Sequence, residues 1–332
     1  MAQAKKSTVV FFAFDSQYLF VLCKVNKEEG GIKMGTLAII TDLHADINHF
    51  GDEELALLFD LLQENKVTRL HFAGDTANKI AHTLAVNHFF RHQGLPTTFN
   101  LGNHEMGNIQ GEQMIEHYPD SHFLNLRYLP LTDQTVLLGF NGWYDYGFSE
   151  LTDPKKIRST KNIYWFDRII DRFSDDQTVD QAILKELKLV LDDLAQKNYQ
   201  VILATHFVPK AEFIGHLSGK YQIWNKLNAF LGSKALGELL DRYDNIQQVV
   251  FGHTHRRFSD QVINQTIYSC RPLGYYYEWR ITRDFILKNQ LAEVFIPTKM
   301  RSILNKNQTA FAAYKKEHLI EEFRQAITLI SY

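Results

Sequence analysis

Five short blocks along the chain carry side chains that could hold divalent cations: Thr41-Asp42-Leu43-His44, Gly74-Asp75, Gly102-Asn103-His104-Glu105, Thr205-His206 and Gly252-His253-Thr254-His255. In an extended chain, residues i and i+2 point to the same side, so Asp42 and His44 can reach one ion together. The same spacing aims His253 and His255 in one direction, with room for each to hold a different member of a metal pair. Gly74, Gly102 and Gly252 each stand immediately before a ligand-type residue. A residue without a side chain lets the backbone turn sharply and approach an ion or a phosphate closely.

Asp42, His44, Asp75, Asn103, His206, His253 and His255 are too many ligands for one tetrahedral site and suit two ions that share a carboxylate. No cysteine takes part, and mixed nitrogen and oxygen ligation favours manganese, iron or zinc over a structural thiolate zinc. Two divalent ions bring four positive charges and the two aspartates remove two, leaving about +2 by formal counting. That excess would attract a phosphate ester.

The elements that must position these blocks can be read from apolar runs. Residues 37–40, 70–73, 97–101, 201–204 and 249–251 each end just before a block and read as buried strands. In open α/β sheets, ligands collect beyond the carboxyl ends of strands, so five strands would deliver the ligands to one rim. Leu55, Leu58, Phe59 and Leu62 recur at helical spacing, with Asp52 near the start to satisfy free amides. A second helix over about residues 78–92 stops at Gly94-Leu95-Pro96. The first three blocks therefore fall in successive βαβ units, whose crossovers are right-handed. Further along, residues 135–140 read as a strand and the charged stretch 152–161 as a loop. Ile183, Leu187, Val190, Leu191 and Leu194 mark one helix, and Leu236, Leu239, Leu240 and Tyr243 another. Residues 265–269 and 275–281 read as strands and 309–330 as helical.

The five blocks, in this order over residues 42–255, resemble the calcineurin-like metallophosphoesterase superfamily, on the side of its bacterial phosphoesterases. The resemblance implies an α/β fold, a four-layer α/β/β/α sandwich with two mixed β-sheets between helices. The change of rhythm between Met106 and Asn198 is read as holding a cap insertion. The resemblance also implies roles: Asp42, His44, Asp75 and His255 would hold one metal, and Asp75, Asn103, His206 and His253 the other, with Asp75 bridging. His104 occupies the position of the family's non-ligand histidine, suited to a general acid that protonates the leaving oxygen, with Glu105 near enough in sequence to orient or charge it. The nucleophile would be a water bridging two ions about 3.5–4 Å apart, its pKa lowered towards neutrality.

Asp75 is followed by Thr76-Ala77-Asn78-Lys79, whereas the phosphoprotein-phosphatase branch carries Gly-Asp-x-Val-Asp-Arg-Gly, which argues against protein dephosphorylation. The expected substrate is a small phosphodiester or phosphomonoester such as a nucleotide. Trp143, Tyr144 and Asp145, with Tyr146, could wall the substrate or form the polar end of a strand packed by aromatics. Arg271, before Pro272-Leu273-Gly274, could clamp a phosphate bidentately or make a surface salt bridge. Lys155, Lys156, Arg158 and Lys161 are read as a solvated basic loop. His71, His82, His88, His92, His117 and His216 are read as surface or ordinary core residues, with His216 on a loop that could overhang the site.

Composition bounds these readings. The chain has 332 residues, 45% of them hydrophobic, enough for a large core, and a formal net charge of -2 that offers no general attraction to nucleic acid or anionic membrane. A nuclease acting on polymeric nucleic acid is disfavoured on that ground, and an inert scaffold is disfavoured by the full ligand set. Cys23 and Cys270 make no disulfide framework, which points to a reducing, cytoplasmic compartment. No apolar run is long enough to cross a membrane. Residues 1–33 are expected to be an N-terminal extension poorly packed on the rest, 34–300 the metallophosphoesterase domain and 301–332 a C-terminal helical segment.

Overall fold

The computed structural model describes residues 35–332; the expectation for residues 1–33, and Cys23, lie outside them. From β1 (Thr36–Ile40) the chain passes the first ligand block and enters α1 (Asp52–Glu64), which buries Leu55, Leu58, Leu61 and Leu62. Glu54, not Asp52, satisfies the helix start, since the amide of the N-cap Gly51 donates to Glu54 Oε2 at 2.9 Å. Two βαβ units are completed by β2 (Arg69–Ala73), α2 (Ile80–His92) and β3 (Thr97–Asn100). The short helices α3 (Asn103–Met106) and α4 (Glu112–Glu116) lead to the hairpin of β4 (Arg127–Pro130) and β5 (Thr135–Phe140).

The expected charged loop at 152–161 is instead a helix, α5 (Pro154–Tyr164). Asp153 caps it by accepting from the Lys155 amide at 2.9 Å, and Pro154 sits at the first position, where its missing N–H costs nothing. Lys155, Lys156 and Arg158 are exposed, but Lys161 is buried against Asp176 at 2.7 Å. Next come α6 (Asp176–Gln196), with its apolar face Ile183, Leu187, Leu191 and Leu194, and β6 (Gln200–Thr205). A tight helical stretch at Gly219–Phe230 precedes α7 (Lys234–Leu240) and β7 (Ile246–Phe251). After β8 (Gln261–Ile263) and β9 (Thr266–Cys270), residues 275–281 are not a strand but a turn running into α8 (Arg280–Lys288). There the Tyr275 and Tyr276 amides donate to Glu278 Oε2 and Asn48 Oδ1, so side chains take the bonds that a sheet would have taken. The chain ends with α9 (Pro297–Lys306), α10 (Gln308–Ala326) and a strand not foreseen from the sequence, β10 (Ile327–Ser331).

Period-two alternation along the strands builds the layers. Leu37 and Ile39 of β1, Leu137 of β5, Ile202 and Ala204 of β6, and Val250 of β7 share one apolar layer. The alternate residues Ala38, Ile40, Val136, Leu138, Val201, Leu203, Val249 and Phe251 belong to the larger core with the helices. Two mixed sheets therefore face each other and carry helices on their outer sides. One runs β10-β1-β2-β3, antiparallel only at β10. The other runs β4-β5-β6-β7-β9-β8, parallel through β5, β6, β7 and β9 with antiparallel edges. Within residues 106–198, β4 and β5 are part of this second sheet. The C-terminal segment belongs to the sandwich through β10, where Leu37 pairs with Ile330. Among the described residues no helix is long and apolar enough to cross a membrane.

Candidate metal centre

The ligand blocks leave β1, β2, β3, β6 and β7 at the same end, and backbone bonds hold the loops in register. The Asp42 amide donates to the Gly74 carbonyl at 3.1 Å, His44 to Asp75 at 2.9 Å, and Gly252 to His206 at 3.1 Å. Asp42, His44, Asp75, His253 and His255 all lie in the left-handed region, with φ between 44° and 66°. Non-glycine residues seldom adopt it, and strained backbone of this kind persists only where the surroundings over-determine it.

The same side chains converge. Ligand atoms of Asp42, His44, Asp75 and His255 lie within 4.8 Å of one another, as do those of Asp75, His206 and His253, so Asp75 is common to both groups. Asp75 Oδ2 is 3.7 Å from His44 Nε2 and 3.4 Å from His206 Nε2. Asn103 Oδ1 joins the second group 3.0 Å from His206 Nε2, aimed there because its amide nitrogen donates to Asp167 Oδ1 at 2.7 Å.

Outer partners fix which ring nitrogens face inward. His253 Nε2 lies 3.1 Å from the Phe230 carbonyl, which can only accept, so Nε2 carries the proton and Nδ1 turns a lone pair towards His206, 3.0 Å away. Glu278 holds His255 Nδ1 at 2.8 Å, leaving Nε2 to face Asp42 Oδ1 at 3.4 Å. Burial takes His253 down to about 3, helped by neighbouring His206. Burial would lower His206 too, but Asp75 lifts it to about 9; His255, likewise opposed by burial, is lifted well above its usual range by Glu278 and Asp42. Burial would raise Asp42, yet the His255 hydrogen bond and nearby imidazoles bring it to about 2. Carboxylates and imidazole lone pairs thus point into a buried space that demands positive charge, a donor set that fits divalent cations.

Two glycines make the convergence possible. A Cβ on Gly252 would stand 1.9 Å from Asp42 Oδ2, and one on Gly102 would stand 2.1 Å from Asp75 Oδ1. Each carboxylate fills the space that a side chain would have taken.

His104 lies beside the ligand groups and belongs to neither. Its Nε2 is 3.9 Å from Asp75 Oδ2 and 3.0 Å from the Tyr275 hydroxyl, its Nδ1 meets Asn78 Oδ1, and its ring stacks on Phe166 at 4.4 Å. Burial lowers its pKa. Glu105 does not serve it, contrary to the sequence expectation. That carboxylate is buried and accepts from the amides of Asp75, Ala77 and Gly102 and from the Thr83 hydroxyl, tying the loops after β2 and β3 to the first turn of α2. Burial and the nearby Asp75 push Glu105 up to about 7.

The expected substrate wall is corrected. Trp143 and Tyr144 are 0% exposed, stacked at 4.4 Å, and Trp143 Nε1 donates to Asp176 Oδ1 at 3.0 Å; they are core. Asp145 accepts from the Lys234 and Ala235 amides at 3.2 and 2.9 Å, capping the start of α7. Arg271 pairs with Asp260 at 2.8 Å on the surface. His216 is exposed beside Glu150. The outer partners Asn78, Asp167, Tyr275 and Glu278 were not singled out in the sequence. Only Asn78, three residues after Asp75, lay close enough to a block to be flagged.

A family model described as calcineurin-like phosphoesterase matches residues 35–257. No curated protein matches the chain. Among solved structures, a phosphopantetheinyl hydrolase from Mycobacterium tuberculosis is similar with a TM-score of 0.59 and 17% identity, over 74% of this chain and 92% of that one. A dimetal phosphatase from Danio rerio gives 0.42 and 14% over 72% and 87%. At such identities the first likeness is one of fold alone, and the second carries no argument.

Proposed function

Because the chain belongs to the calcineurin-like phosphoesterase family, and is a metal-dependent phosphoric ester hydrolase on that ground, we propose that it cleaves a small phosphoester at two divalent cations sharing Asp75, with His104 as general acid. The observation that carries this reading is the pair of ligand groups meeting at Asp75. Asp42, His44, Asp75 and His255 would hold one ion, and Asp75, Asn103, His206 and His253 the other. When bound, the ions supply Lewis-acid stabilisation of phosphoryl oxygens and activation of water near neutral pH.

The chain's own residues do the rest. The Asp42 and Asp75 carboxylates are kept ionised by the imidazoles around them, and the Gly102 and Gly252 cradles hold them in place. Glu278, the Phe230 carbonyl and Asp167 orient the inner ligands so that little rearrangement is needed when substrate arrives. Asn78 Oδ1 accepts from His104 Nδ1, so the proton given to the leaving oxygen would be one taken up at Nε2, on the Asp75 side, by the imidazolium form. The Tyr275 hydroxyl at 3.0 Å steadies that nitrogen. Manganese, iron and zinc all suit the donors, and the two-cysteine composition suits the cytoplasm.

The test is hydrolysis of p-nitrophenyl phosphate and bis-p-nitrophenyl phosphate by protein stripped with a chelator and reloaded with manganese, iron or zinc. A phosphopantetheinyl ester belongs in the same panel, since a protein of similar fold bears that name. Turnover restored by metal is the expected result. Inertness towards every ester under all three ions would overturn the reading.

A further inference from the structure

A cavity of about 320 Å³ starts at His255 and Glu278 and is walled by Arg257, Arg280 and Arg283, together with Phe295. A second volume of about 680 Å³ shares Arg283 and Phe295 with it and adds Arg256 and Glu293. His255 belongs to both the ligand group and the cavity wall, its Nε2 3.4 Å from Asp42 and its Nδ1 2.8 Å from Glu278. One imidazole ring therefore separates the cationic cavity from the carboxylates that would hold the metals.

The charges here are not balanced locally. Glu278 is engaged by His255 and by the Tyr275 amide. Arg257 is engaged by the buried Glu322 at 2.6 Å and by the Pro272 carbonyl at 3.0 Å. The guanidinium groups of Arg256, Arg280 and Arg283, by contrast, have no hydrogen bond or ion pair among the described residues. Arg280 and Arg283 stand in the first turn of α8, three residues apart and so on one face. Like charges at that spacing repel, and cations at a helix N-terminus oppose the macrodipole. The two cations therefore gain nothing from the helix that carries them.

Resting on the phosphoesterase reading above, we propose that this cavity receives a second phosphate group of the substrate while the scissile phosphate sits at Asp75. The substrate class is then a phosphoester bearing two separated phosphates, with Arg280 and Arg283 as specificity-determining residues. Planar guanidinium forks bind phosphate oxygens in pairs, and a neighbouring Phe295 offers apolar surface to the organic part between the phosphates.

The experiment uses the full-length protein, as purified and after chelation, titrated calorimetrically with adenosine 3′,5′-bisphosphate and adenosine 5′-monophosphate. Inhibition of p-nitrophenyl phosphate hydrolysis by the same two nucleotides is followed on the metal-loaded protein. The bisphosphate should bind at least tenfold more tightly, and Arg280→Gln/Arg283→Gln should cut that preference at least tenfold. Both positions are exposed, and an unchanged thermal midpoint would show that the variant folds. Equal binding of the two nucleotides, or a preference that the double variant retains, would overturn the proposal. Arginine-dependent binding in a protein that hydrolyses no ester would support the cavity and sink only the reaction assigned to the neighbouring centre.

Discussion

His104 differs from the other histidines of the site in what surrounds it. His44, His206 and His253 turn ring nitrogens towards Asp75 or one another, whereas His104, as little exposed as His253, has its two nitrogens at Asn78 Oδ1 and the Tyr275 hydroxyl and its ring stacked on Phe166. A ligand and a proton donor respond differently to deletion. His104→Ala should lower kcat by about 10²–10⁴-fold, the usual worth of general acid catalysis, while metal content by elemental analysis stays at the wild-type level. Parallel loss of metal and turnover would make His104 a ligand. Its backbone also matters, because the His104 amide donates to Asp75 Oδ1 at 2.9 Å. Alanine keeps that bond, so the substitution tests the ring alone.

At the scale of elements, five strand ends present the ligands, and the loops between them are held by atoms that have no room to move. Gly102 has φ -100°, a value open to any residue, so the cost of a side chain there is steric. Gly102→Ala would press a methyl group against the shared Asp75 carboxylate and should lower metal affinity about 10- to 100-fold, as loss of a ligand's support does. Gly51→Ala is the control, because its Cβ would meet nothing closer than Glu54 Oε2 at 3.8 Å. Metal titration of both variants by calorimetry decides, and equal affinities would show that the cradle can relax. The five blocks were legible in the sequence because each couples a local apolar run to a ligand within one or two residues. Asp167, Tyr275 and Glu278 were not, since Asp167 lies in a segment with no periodic pattern, Tyr275 and Glu278 lie in one whose pattern imitates a strand, and all three reach the centre through tertiary contacts only. Asp153-Pro154 was a readable helix start, obscured by the basic residues that follow it. β10 left no sign of itself, because α10 passes into it at Ala326-Ile327 with neither glycine nor proline to mark the change.

Across the whole molecule, the two sheets are joined near their ligand-bearing ends by a buried polar chain. His71 on β2 contacts Thr98 Oγ1 and Asn100 Oδ1, each at 2.9 Å, and Asn100 Nδ2 reaches the Phe140 carbonyl of β5 at 3.3 Å. Burial takes His71 from 6.5 down to about 4, against the Asn100 hydrogen bond that raises it. Between those values the unfolded chain binds the proton and the folded chain does not. The contribution is therefore complete above pH 6.5 and is lost as pH falls towards 4, amounting to on the order of 3 kcal/mol. Asp180, which burial and Asp145 push up to about 7, acts with the opposite sign, since its folded form holds a proton that the unfolded form has released. The raw pH profile mixes these effects, and comparison with His71→Gln separates them. In urea unfolding of chelated protein between pH 7.5 and 4.5, wild type should lose stability faster than the variant by up to about 1.4 kcal/mol per pH unit. The two curves should diverge below pH 6.5 and run parallel above it. Parallel curves throughout would mean that His71 keeps an ordinary imidazole affinity for protons inside the fold.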